Sequence, residues 1–316
     1  MSNKLDFGPS KEIIDGSNIL VFVSHEFTDA DDLGSMLALA EVLEKSGKQI
    51  FICSRGGLPD NLYFLPGSEK LLDAPPDIAY DTVCFFGCGE IRRPGFEDWN
   101  LDEKKIINID HHVDNKLYGD ANLVDEFAAA TCEVVYKFIK YSGEDITKSI
   151  AINLLAGIFF DTGGFRHAST TPEILEIAAD LVRRGARIDR IAKQYFGQNE
   201  LIRMKAWAKA FENARFDEEQ KMMYSTVTEE ELAEIGARPE HLEGIAEILN
   251  TVPEAKFAMF LKQGGDEIRA SLRSENYKGV DVSEIARRFG GGGHKLAAGF
   301  KLTGKMEKTK EGWKIT

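Results

Sequence analysis

"VFVSHEFTDADDLGS" (residues 21–35) runs an apolar segment directly into one histidine and three aspartates, His25, Asp29, Asp31 and Asp32. Val21, Phe22 and Val23 belong to "NILVFVS" (18–24), a short run rich in Ile, Val and Phe that fits a buried strand. Beyond the aspartates, Leu33, Met36, Leu37, Ala40 and Leu43 recur at helical spacing on one face, and Gly47 supplies a C-cap. The stretch is therefore a strand end that becomes a helix start. Carboxylates crowded at such a junction repel one another unless something positive lies among them, and the candidates are a helix N-terminus and a divalent cation.

The pattern repeats outward from this junction. "QIFIC" (49–53), "DTVCFFG" (81–87) and "KIINID" (105–110) also read as buried strands. The resulting β-α-β rhythm predicts an α/β fold with a mostly parallel sheet and helices on both faces. Further helices are expected near 128–141, 147–159 and 172–185, and "RIAKQYFGQNELIRMKAWAKAFENA" (190–214) is amphipathic and helical. From about residue 215 the pattern changes to "MMYSTVT" (222–228), helices near 228–235 and 240–251, and "KFAMFLKQGGDEIRASLRS" (256–274). That last segment reads as two strands joined at Gly264-Gly265, and a short helix near 282–289 follows. The expected organisation is a first domain at 1–190, a helical linker at 191–214 and a smaller α/β domain at 215–316.

Composition narrows the function. The chain has 316 residues, 43% hydrophobic and 29% charged, as in a soluble globular protein with room for two cores. Its net charge of −13 (39 Lys and Arg against 52 Asp and Glu) argues against binding long duplex nucleic acid, which needs a basic surface. Cys53, Cys84, Cys88 and Cys132 are too few and too scattered for a disulfide framework, and no second pair completes a zinc site with Cys84 and Cys88. No apolar core marks the N-terminal residues as a signal sequence, and no run of about 18 apolar residues suggests a membrane span. The expected location is the reducing cytoplasm, with no membrane partner.

Ligands of open α/β sheets collect at the carboxyl ends of the strands. His25, Asp29 and Asp31 follow the first strand, and Asp110-His111-His112 closes the fourth. Asp161 ends an apolar stretch in "GIFFDTGGFR" (157–166). Taken singly, each has an ordinary explanation: Asp29 to Asp32 could cap the helix, and Asp32 in particular reads more as a cap than a ligand. Their arrival together is what those explanations omit. Imidazoles mixed with carboxylates suit Mn²⁺, with Mg²⁺ or Co²⁺ as substitutes.

On "SHEFTDADDLGS", "IDHH", "GIFFDTGGFR", "IRASLRS" and "FGGGGHKLAAGF" the chain resembles the DHH phosphoesterase family with a C-terminal DHHA1 substrate domain, over roughly 18–302. Within the family it is most similar to the compact type acting on very short oligoribonucleotides and 3′-phosphoadenosine 5′-phosphate. The resemblance implies a two-metal site with His25 and Asp29 on one ion and Asp31, His111 and Asp161 on the other. Asp110 would orient a ligand, His112 would face the scissile phosphate, and the active site would lie in the cleft between the domains. A homodimer is implied in the same way.

One motif departs from the family. The aspartate that bridges both metals is expected just after the third strand, where this chain has Gly87, and Asp32 or Glu90 could substitute for it. A weakened two-metal enzyme, a one-metal enzyme and a nucleotide-binding protein without catalysis all stay open; hydrolysis ranks first because the other motif ligands are intact. A pyrophosphatase or polyphosphatase is a further alternative.

At the substrate end, residues 262–295 hold seven Lys or Arg against five Asp or Glu, a local +2 in a chain of −13. Arg269, Ser271 and Arg273 alternate along one strand and should share a face. Gly291, Gly292 and Gly293 would let backbone N–H groups approach a phosphate, with His294 donating to the same anion. Arg166 could reach a phosphate from the first domain. The expected substrate is a short oligoribonucleotide or a mononucleotide bisphosphate.

Overall fold

The computed structural model describes residues 5–97, 99–195, 201–309 and 312–316, and the chain divides into two compact units, Met1–Gln198 and Asn199–Thr316. In the first, α1 (Gly8–Gly16), β1 (Ile19–Ser24), α2 (Ala30–Lys45), β2 (Gln49–Cys53), β3 (Leu71–Leu72), β4 (Thr82–Phe86), β5 (Lys105–Asp110) and β6 (Ala121–Val124) precede four helices. These are α3 (Thr131–Tyr141), α4 (Lys148–Asp161), α5 (Pro172–Arg183) and α6 (Ile188–Tyr195).

All six strands pair in parallel in the order β3-β2-β1-β4-β5-β6. The chain builds outward from β1 in one direction, then returns to its other side at β4. The order thus reverses between β1 and β4, the position at which open α/β sheets place their ligands at the strands' carboxyl ends. Sequence periodicity located β1, β2, β4 and β5 to within a residue; β3 and β6 are too short to carry a pattern.

β1 is apolar throughout because both its faces are buried. Leu20 and Phe22 enter the core beneath the helices, while Val21 and Val23 join Val83 and Phe85 on the opposite side. The expectation of helices on both faces is corrected here. Residues of all six helices join the one core, and the other face is covered by Tyr80, Phe96, Trp99, Leu101 and Tyr118 from loop segments. The β4–β5 crossover carries Gly89, Pro94 and Gly95 and forms turns, with no helix among its described residues.

Helices α2 and α4 pack closely. A Cβ added at Gly157 of α4 would fall 2.3 Å from Cys132 Sγ and 2.9 Å from Asp31 Cα. Gly157→Ala should therefore destabilise the protein by about 1–3 kcal/mol through overpacking, read as a lower urea midpoint at unchanged slope.

In the second unit, α7 (Leu201–Glu212), β7 (Arg215–Asp217), β8 (Met222–Val227), α8 (Glu229–Glu234), α9 (Ile245–Leu249), β9 (Phe257–Gly264) and β10 (Glu267–Arg273) come first. They are followed by α10 (Val282–Arg288), β11 (Gly292–Gly293), β12 (Ala297–Thr303) and a hairpin of β13 (Met306–Thr309) with β14 (Gly312–Ile315). The main sheet runs β11-β12-β10-β9-β8-β7, parallel only between β8 and β9. Part of the segment read as a linker, 196–200, lies outside the described residues. Helix α7 belongs to the second unit's core, where it buries Ala206 and Ala210 against Val227 and Phe260, rather than serving as a linker.

Candidate metal centre

The first turn of α2 resolves part of the crowding that the sequence poses. Asp29 is the N-cap: its Oδ1 accepts from the backbone N–H of Asp31 at 3.0 Å and of Asp32 at 2.9 Å. Its Oδ2 lies 3.5 Å from His25 Nε2. His25 Nδ1 is 2.8 Å from the Glu26 carbonyl, which can only accept, so Nδ1 carries the proton and Nε2 faces the carboxylates.

Asp31 is held by another helix. Its Oδ2 accepts from Thr131 N at 2.7 Å and its Oδ1 from Cys132 N at 2.9 Å, the first free N–H groups of α3. His111 follows the His25 plan: Nδ1 lies 3.3 Å from the Ala128 carbonyl, and Nε2 lies 3.1 Å from Asp161 Oδ2 and 4.0 Å from Asp31 Oδ2. Asp161 is the last residue of helix α4, not a strand-end residue like the others. A carboxylate at a helix C-terminus opposes the dipole, so this placement favours a nearby cation.

Two three-residue groups result, His25–Asp29–Asp32 and Asp31–His111–Asp161, each with its ligand atoms within 4.8 Å of one another. Asp32 joins the first group instead of capping the helix, contrary to the sequence expectation. Glu90 is exposed and lies in neither group. The donor sets suit Mn²⁺ chemistry, and a buried carboxylate oxygen, Asp32 Oδ2, has no hydrogen-bond partner. The residues present therefore fit a divalent ion.

Asp110 sits behind the groups, fully buried. Its Oδ1 accepts from the backbone N–H of His111 and His112 and lies 2.6 Å from His112 Nδ1, while Asn115 Nδ2 donates to Oδ2 at 2.5 Å. Burial works against its charge, but the bonds from His112 and Asn115 outweigh that and hold the carboxyl below its usual range. An ionised Asp110 can only accept, so His112 presents Nε2 outward. Asn115 was missed from sequence, since an asparagine in a polar loop carries no signal of its own.

Elsewhere, Arg166 Nε donates to the Gly163 carbonyl at 2.6 Å. In the second unit, Arg269, Ser271 and Arg273 share the more open face of β10, as their alternation predicts, with Ile268, Ala270 and Leu272 buried opposite. Arg269 pairs with Glu267 at 2.6 Å and Arg273 with Glu247 at 2.8 Å. Gly292 and Gly293 pair with Gly299 and Ala298 of β12, and a Cβ at Gly291 would lie 2.1 Å from the Gly299 carbonyl oxygen. Strand packing thus explains Gly291 without a ligand. His294 is exposed beyond them.

The fold and site define a class: a two-unit α/β protein whose imidazoles and carboxylates converge at the switch point of a parallel sheet. Residues 18–158 match the DHH family N-terminal domain and 219–311 the DHHA1 domain, and the chain belongs to the DHH family. It is 30% identical to the bifunctional oligoribonuclease and PAP phosphatase NrnA of Thermus thermophilus, covering 90% of this chain and 84% of the relative. It is 25% identical to the Bacillus subtilis protein of the same name, over 90% and 89%. An exopolyphosphatase-related protein from Bacteroides fragilis superposes with a TM-score of 0.88 at 25% identity, over 95% of this chain and 92% of that one.

The electrostatics set a pH dependence. Burial, with the Asp161 charge adding to it, raises Asp31 to about 7. Burial opposes the His111 charge, yet the Asp161 bond and the Asp31 charge prevail and raise it to about 9. Both groups hold protons that a ligated cation must displace, so Mn²⁺ affinity should rise as pH increases from about 6 to 9 and fall on acidification. Calorimetry in buffers of different ionisation enthalpy should show net proton release.

Proposed function

We propose that this chain is a cytoplasmic, divalent-metal-dependent phosphoesterase acting on oligoribonucleotides of a few nucleotides, with 3′-phosphoadenosine 5′-phosphate as a phosphomonoester counterpart. The observation that carries this reading is the pair of imidazole–carboxylate groups that share the Asp31-Asp32 dipeptide between them. The activities in the names of the Thermus and Bacillus relatives support the substrate class.

Mn²⁺, with Mg²⁺ or Co²⁺ as substitutes, would be held by His25 and Asp29 on one side and by Asp31, His111 and Asp161 on the other, and when bound would supply positive charge to polarise the phosphate and acidify water. The chain's own residues then set orientation and proton handling. Asp110 fixes the ring of His112 through Nδ1, leaving Nε2 to face the phosphate, where the imidazolium form would donate to the leaving oxygen. In the second unit, Arg269 and Arg273 offer planar forks suited to phosphate, already positioned by Glu267 and Glu247. Ser271 lies between them, and Gly292, Gly293 and His294 would contact the sugar-phosphate. The charge of −13 disfavours long strands and leaves short substrates, whose few phosphates a local basic face can neutralise.

A labelled diribonucleotide incubated with Mn²⁺ should be hydrolysed to mononucleotides, and Asp161→Ala should abolish turnover. Asp110→Asn should lower it about 10–100-fold while leaving bound metal in place. Arg273→Ala should raise KM roughly tenfold at nearly constant kcat, as expected for loss of one charge-assisted phosphate contact. A wild-type protein that binds the dinucleotide but leaves it intact under all three metals would overturn the reading.

A further inference from the structure

Gly87 stands where the family resemblance implies a carboxylate bridging two metals. We propose that Asp32 has taken over that carboxylate's place, so that the bridging ligand of this chain comes from the first turn of α2 instead of the end of β4. This rests on the metal-dependent reading above and adds a ligand to it.

The first argument is volumetric. A Cβ built at Gly87 would lie 1.9 Å from Asp32 Oδ1, 2.5 Å from its Cγ and 2.6 Å from its Oδ2. The Asp32 carboxylate therefore fills the space that any side chain at position 87 would enter. The backbone at Gly87 has φ +59°, a conformation that Gly adopts freely and Asp tolerates better than most residues. A carboxylate can reach this point from position 32 or from position 87, but not from both.

The second argument is an unmet need. The Asp32 side chain is 4% exposed, and its Oδ2 lies 3.3 Å from His25 Nε2 yet forms no hydrogen bond. Burying a carboxylate this way is costly unless a positive partner compensates. Asp32 belongs to the His25–Asp29 group, and its chain neighbour Asp31 belongs to the other, so the carboxylate that fills position 87's volume stands where the two groups adjoin. Glu90, the other substitute considered, is exposed and in neither group. With Asp32 included, four carboxylates (Asp29, Asp31, Asp32 and Asp161) belong to the two groups, one more than the three left by a glycine at position 87.

The test is Mn²⁺ binding by the full chain, measured by titration calorimetry and native mass spectrometry, with the Mn²⁺-induced rise in Tm as a second readout. Wild type should take up two ions. Asp32→Asn, which keeps the shape, should lose one ion or weaken binding by more than about 100-fold, beyond the range for groups that merely orient a ligand. Gly87→Asp alone should unfold at lower temperature and bind no better, because two carboxylates would compete for one volume. The double variant Asp32→Ala with Gly87→Asp should recover two-ion binding, a non-additive rescue expected only of coupled positions. Two ions bound with unchanged affinity by Asp32→Asn would overturn this assignment and leave the metal-dependent reading standing. Failure of the double variant to recover binding would also count against it. A wild type that takes up no Mn²⁺ would remove both.

Discussion

Like-charge repulsion among Asp29, Asp31 and Asp32, packed into one turn at the end of β1, is the constraint around which the first unit is built. Each aspartate is relieved differently. Asp29 turns an oxygen back onto the N–H groups of its own helix, and Asp31 is gripped by the N-terminus of α3. Two helix ends thus supply hydrogen bonds to two of the three carboxyls, although burial and the Asp161 charge still raise Asp31. Asp32 has neither relief, and it is the residue that faces His25 and the vacated position 87.

The sheet supplies the stage for this arrangement. Strand order reverses between β1 and β4, the position where open α/β sheets gather ligands at the strands' carboxyl ends, and the loops that follow them meet there through Glu26 N and the Arg93 carbonyl. The two histidines of the site are oriented alike, each anchoring Nδ1 on a backbone carbonyl so that Nε2 meets carboxylates. Fixed backbone partners of this kind hold a ligand's tautomer and direction without an additional side chain. The close approach of α4, made possible at Gly157, then brings Asp161 to His111 from a helix C-terminus.

The second unit illustrates a different economy. β10 buries Ile268, Ala270 and Leu272 and leaves Arg269, Ser271 and Arg273 on its other side, so one strand both builds a core and presents a basic face. The glycines that follow serve the strand pairing of β11 with β12.

The sequence alone determined the strands and helices whose apolar periodicity is long enough to read, and hence an α/β fold with a largely parallel sheet. It also singled out His25, Asp29, Asp31, His111 and Asp161, because titratable residues repeated at the ends of apolar runs are a local pattern. Only tertiary structure decided the rest. Whether Asp32 is a cap or a group member depends on Asp29 having already filled the cap, a matter of side-chain direction. The role of Asn115 depends on its meeting Asp110, and the covering of one sheet face by aromatic loop residues depends on a crossover that forms no helix. The meaning of Gly87 depends on a residue 55 positions earlier in the chain whose carboxylate occupies its missing side chain's volume. Periodicity and spacing report a residue's neighbours along the chain, whereas the shared occupancy of one small volume exists only once the fold has closed.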